Sequence, residues 1–226
     1  LIIVTLGIVS PFQAISQKYK NKEMSLISFS ISIHEDTKKY LDQYESQFLS
    51  VKNVNADKII SKIKEQAWGS IVDSLQQSIG EVLLPINTYG NKVSYDAYGF
   101  PDVSISKAQR IGFSKFYIKI DLAIGPEALQ YPLNHKAKND TTIESTEPKE
   151  GEIKPVVTLT ITCYPDKGII PIGKYIGSSQ APTIWTSGKN SILEGLINSN
   201  YKTDLSTIMS LINEAIFDAT INMQIK

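Results

Sequence analysis

The chain has 226 residues, 42% of them hydrophobic and 20% charged, enough for one globular domain with a substantial core. Lys plus Arg and Asp plus Glu both number 23, so the formal net charge is zero. That balance makes no electrostatic case for nucleic acid or for an anionic membrane surface, and no basic stripe with interleaved aromatics is present.

The chain opens with an apolar run, Leu1 to Val9, too short to span a bilayer. Pro11 follows, then Ala14-Ile15-Ser16, small residues at the positions a signal peptidase reads. Residues 1–16 therefore read as a secretory signal whose start, with its Met and basic flank, is missing, and 17–226 as the mature domain. The alternative is a buried first strand. No cysteine follows the run, so a lipid-anchored N-terminus is not expected.

Residues 25–36, SLISFSISIHED, alternate as a half-buried strand: Ile27, Phe29, Ile31 and Ile33 on one face, Ser28, Ser30 and Ser32 on the other. Asp36 can cap a helix carrying Tyr40, Leu41, Tyr44 and Phe48. The clearest helix is 56–83, where Ile59, Ile63, Ala67, Ile71, Leu75 and Ile79 step by four behind Asn55 as N-cap, with Trp68 at the stripe's edge. Residues 86–112 are turn-rich, with a short helix or strand at 103–110.

Residues 115–125 alternate again, and 126–155 form a polar, proline-punctuated excursion. Strands at 156–164 and 168–177 are joined by a turn at Pro165-Asp166 and Gly168, and Pro171 sets the second at an edge or breaks it. Ile192 to Ile197 form a short helical face, and a long amphipathic helix starts near Asp204. Three strands joined without helices imply antiparallel pairing. The expected fold is α+β, a two-layer sandwich with a mostly antiparallel sheet and helices packed on one face. The Ser and Thr face of the strands then looks to water or to a partner.

Chemistry-bearing patterns are sparse. Gly168 through Gly173-Lys174 matches the start of a phosphate-binding loop, but the next residue is Tyr175 instead of Ser or Thr, Pro171 has no amide hydrogen, and a strand follows. The two histidines, His34 and His135, and the single cysteine, Cys163, are too scattered for a recognisable zinc site. Cys163 lies in an apolar strand and reads as a small core side chain. Asn139-Asp140-Thr141 has the form of a glycosylation acceptor, and Asp140-Thr141-Thr142 resembles an O-glycosylation site of exported Bacteroidota proteins; both patterns are short enough to arise by chance. No catalytic, cofactor-binding or metal-binding residue is assigned.

The stretch YDAYGFPD, residues 95–102, has two readings. In one, Gly99 and Pro101 make a bend, Asp96 and Asp102 bond nearby amides, and Phe100 folds onto the sheet. In the other, Tyr89, Tyr95, Asp96, Tyr98, Phe100 and Asp102 form an aromatic interaction patch, since tyrosine offers rigid contact area with a polar tip.

The segments FQAISQK and VSYDAYGFPDVSISKAQRIGFSKFYIKID, with a composition rich in Asn, Ile, Lys and Ser, resemble uncharacterised exported proteins of Bacteroidota. The resemblance implies a soluble periplasmic or extracellular protein and transfers no catalytic residue. The expectation is an envelope or secreted accessory protein acting on a protein partner, with no cofactor, no nucleic acid and no transmembrane segment in the mature chain. A small-molecule or glycan binder, with Trp185 or the tyrosines as stacking walls, is the alternative, and an exported hydrolase the third. Oligomeric state is not legible.

Overall fold

The computed structural model describes residues 18–33, 56–126, 152–182, 185–186 and 206–225. The expected signal, the helix around Tyr40 to Phe48, Asn55, residues 127–151 of the excursion, both histidines and the short helix at 192–197 lie outside the described residues.

The main sheet runs β3-β4-β1-β5-β7-β8. Its long members are β1 (Glu23–Ile33), β5 (Phe116–Pro126), β7 (Pro155–Pro165) and β8 (Gly173–Gln180). The expected antiparallel trio is present as β5, β7 and β8. β1 lies parallel to β5, and a short β2 (Val82–Leu83) lies parallel to the start of β1. β3 (Ser94–Tyr95) and β4 (Pro101–Asp102) form a small hairpin whose second strand pairs with β1. A separate two-stranded ribbon joins β6 (Glu152–Ile153) to β9 (Trp185–Thr186). The last residues assigned to the polar excursion are therefore strand.

Two long helices, α1 (Ala56–Ile79) and α3 (Ser206–Ile225), cover one face. Their stripes, Ile63, Ala67, Ile71 and Leu75 from α1 and Ile212, Ala215, Ile216 and Ala219 from α3, meet Ile118, Ile120, Val157, Leu159 and Ile161 in the main core. The architecture is α+β, as expected. α3 approaches β8 closely at Gly177, where a Cβ would lie 2.0 Å from the Ala215 carbonyl oxygen and 2.3 Å from the Ala219 nitrogen.

Three local expectations are corrected. The helix expected over 56–83 stops at Ile79, because Gly80 takes φ +70, and Val82 and Leu83 leave the apolar stripe to pair with β1. The strand expected at 168–177 starts at Gly173, leaving Pro171 in the preceding loop. A bulge between Leu26 and Ser28 puts Leu26 and Phe29 in the main core and gives Ile27 to a second cluster on the opposite face. There Ile27 packs with Tyr89, Val93, Val103, Ala108 and Tyr117 beneath α2 (Ile105–Ile111). α2 is capped by Ser104, whose hydroxyl accepts from the Lys107 amide, and ends at Gly112 in the left-handed region. One end of that face is thus roofed by α2 and the 86–103 segment.

Candidate functional site

The structure places YDAYGFPD as a fastened turn. The Asp96 amide donates to the Phe100 carbonyl at 2.8 Å, and Gly99, at φ +83, donates back to the Asp96 carbonyl at 3.1 Å. The Asp96 carboxylate accepts the Tyr98 and Phe100 amides, both at 2.9 Å. Its other oxygen forms a salt bridge with Lys64 of α1. Burial works to raise the Asp96 carboxyl, but the bonds from Lys64 and the two amides outweigh it and hold the group below the usual range.

Lys64 is only 2% exposed. Its ammonium lies 4.8 Å from the Phe100 ring centroid, 5.0 Å from Tyr98 and 5.3 Å from Phe29, a cation caged by three rings and a carboxylate. Phe100 is buried edge-on against Phe29 and Trp68. Tyr89 is buried in the second cluster, where loss of solvent pushes its phenol up, and Tyr95 packs beside it. Asp102 is exposed but sits within the β3–β4–β1 pairing. The six residues are therefore not one exposed aromatic patch. Tyr89 and Phe100 belong to two different cores on opposite faces, and Asp96 is spent on holding the turn. Lys64, from a distant helix, is the cation that pairs with the half-buried Asp96.

A second polar group is buried where β1, β5, β7 and β8 share one end. The Tyr19 and Tyr175 hydroxyls are 2.8 Å apart, and Cys163 lies beside them. Burial, then the charge of Glu81, pushes the Cys163 thiol up, the opposite of an activated nucleophile. Glu81 follows the glycine that ends α1. It is 2% exposed and neither carboxylate oxygen has a hydrogen-bond partner. Burial alone pushes its carboxyl up to about 8.

Beyond the roof of α2, the outer face of the main sheet exposes Ser30, Ser32, Ala123 and Ser178, while Lys119, Asp121, Thr158, Thr160 and Ile176 are half-buried and Thr162 is buried. Lys119, Asp121 and Ala123 of β5 stand beside Thr162, Thr160 and Thr158 of β7, with Ser30 and Ser32 of β1 on one side and Ile176 and Ser178 of β8 on the other. Ser30 Oγ donates to Asp121 Oδ1 at 2.6 Å, and Lys119 Nζ sits 3.1 Å from the same oxygen. Strand spacing and rise give the patch these residues form dimensions of roughly 15 Å by 15 Å. The sequence alternation predicted the hydroxyl face. It also carried an unread signal for Lys64, whose neighbours at helical spacing, Ile60, Trp68 and Ile71, are apolar.

Among the described residues, no three His, Cys, Asp or Glu side chains come together to hold a metal ion. No helix among them is long and apolar enough to cross a membrane. The side chain of Trp185 lies outside the described set.

No protein-family model matches the chain, and no curated protein matches it in sequence. Several solved structures align along most of its length. One is a hypothetical protein from Chlamydia trachomatis, 10% identical, TM-score 0.41, covering 92% of this chain and 99% of that one. Another is the PelC dodecamer from Paraburkholderia phytofirmans, 10% identical, TM-score 0.35, covering 91% and 90%. A third is a neuraminyllactose-binding hemagglutinin homolog from Helicobacter pylori, 12% identical, TM-score 0.36, covering 92% and 87%.

Proposed function

We infer that the chain is an exported accessory protein, periplasmic or extracellular, that works by holding another protein and performs no catalysis of its own. The observation that carries this reading is the outer face of the sheet, where Ser30, Ser32, Ala123 and Ser178 are exposed. Most of its side chains are short, hydroxyls and an alanine beside Lys119, Asp121 and Ile176, and the short ones lose little rotamer freedom when a partner covers them. The hydrolase alternative wants free, converging carboxylates. Here Asp96 is committed to Lys64 and two amides, Asp121 to Ser30 and Lys119, and Asp218 accepts the Ser178 amide.

The test is crosslinked capture from the native cell envelope with the wild-type chain and with Ala123→Arg and Thr160→Arg, which plant a long cation in the middle of the face. Both variants are expected to keep the wild-type circular dichroism and urea midpoint and to lose a stoichiometric protein partner. A partner retained by both variants removes the face from consideration. A defined glycan held in place of any protein turns the reading to carbohydrate binding.

A further inference from the structure

The chain is neutral overall, but the fold sorts its charges. The starts of β1, β5 and β8 and the end of β7 meet at one end of the main sheet, together with the C-terminus of α1. Lys18, Lys22, Lys92, Lys115, Lys167 and Lys174 all lie at this end, and each is exposed. Lys18 Nζ donates to the Ile172 carbonyl at 3.0 Å, and Lys92 Nζ lies 4.9 Å from the Phe113 ring. Among the described residues, the exposed acids at this end are Glu23 and Asp166; Glu81 is buried.

The same end carries exposed apolar side chains. Ile169 and Ile170, at the tip of the β7–β8 loop, are 64% and 78% exposed, and Phe113 and Val82 are exposed nearby. The loop is not slack. Gln109 Nε2 donates to the Pro165 carbonyl at 2.9 Å and the Gly168 carbonyl at 2.7 Å, and the Ile172 amide donates to Cys163 at 2.9 Å. Side-chain and backbone bonds thus hold two isoleucines out in solvent, where apolar surface is unfavourable unless something covers it.

We propose that this end of the sheet is a peripheral docking surface for an anionic lipid bilayer, with Ile169 and Ile170 entering the headgroup–acyl boundary and the surrounding lysines lying against the lipid phosphates. Charge complementarity selects the occupant. A protruding apolar tip ringed by cations matches a negatively charged bilayer surface, and each lysine held there strengthens binding roughly fivefold. The contact is interfacial and reversible, and it leaves the hydroxyl face free for the partner proposed above. It does not depend on that partner existing.

The experiment is sedimentation of the full chain with vesicles of phosphatidylglycerol and phosphatidylcholine, against pure phosphatidylcholine, at low and physiological salt. Binding to the anionic vesicles is expected, weakening as salt rises. The Ile169→Asp/Ile170→Asp variant is expected to lose affinity on the order of tenfold or more. A second variant, Lys167→Glu/Lys174→Glu, lies on the same rim without touching the tip and is expected to lose the salt-sensitive part. Both are checked for a wild-type urea midpoint. Equal binding to neutral vesicles, or unchanged binding by the isoleucine variant, overturns the proposal. So does a chain that ignores every vesicle while the same isoleucine change abolishes capture of a protein.

Discussion

Replacing Glu81 with Gln should make the protein more stable, by an amount that grows with pH. Glu81 is sealed between the stop of α1 and the start of β2 with no partner for either oxygen, and burial holds its proton on up to about pH 8. In the unfolded chain a glutamate lets that proton go near pH 4.5. Between those values the folded state carries the extra proton, so raising the pH favours unfolding. Glu81 thus leaves stability untouched below the lower value and erodes it up to the higher one. The slope is about 1.4 kcal/mol per pH unit, which accumulates to about 3 kcal/mol by pH 7. Gln has the same shape and does not titrate. Urea unfolding of both proteins from about pH 5 to about pH 8, followed by circular dichroism at fixed ionic strength, measures the gap directly. Wild type and Glu81→Gln should nearly coincide at the acid end and diverge steadily. Parallel curves would mean that the carboxylate reaches water or a cation, and the burial argument would fail.

Three further substitutions test the packing. Gly177→Ala should destabilise by about 3 kcal/mol, because its methyl would collide with the backbone of α3 at Ala215 and Ala219, and overpacking at backbone is not relieved by a rotamer change; a urea midpoint near wild type would show the helix to be less tightly seated. Asp96→Ala should cost about 3 kcal/mol, since it strands a buried ammonium and frees two amides, whereas Lys64→Met should cost about 1 kcal/mol or less by replacing that ammonium with an apolar chain. Equal losses in the two variants, measured by urea unfolding, would show the pair to be an ordinary exposed one.

Much of the framework was legible because it is periodic. The alternation of 115–125 and 156–164 survives intact as the register Ile118↔Cys163, Ile120↔Ile161 and Leu122↔Leu159. The four-residue steps through Ile63, Ala67, Ile71 and Leu75 are the stripe α1 buries. What escaped were the features that break a period or join distant segments. The bulge at Ile27 leaves the Ile/Ser alternation looking regular while moving one isoleucine to the other face. Val82 and Leu83 continue the apolar content of the helix, and only the left-handed turn at Gly80 separates them from it. The turn at YDAYGFPD was legible in Gly99 and Asp96, but its anchor was not, because Lys64 lies far away in sequence. The basic end of the sheet is assembled from four separate stretches, so no window of the neutral chain contains it.

The position of β1 sets a timetable. Among the described residues it is the first strand of the main sheet to be synthesised and ends up in its interior, yet the segments it pairs with there, Val82–Leu83, Asp102 and Phe116–Ile124, are made later. β5, β7 and β8, consecutive antiparallel neighbours, can assemble without it; β1 must wait and then be threaded into place. Pulsed hydrogen exchange during refolding would accordingly find the β5–β7 amides protected before those at the far edge of β1. For a nascent chain, such a strand is a standing hazard of misassociation.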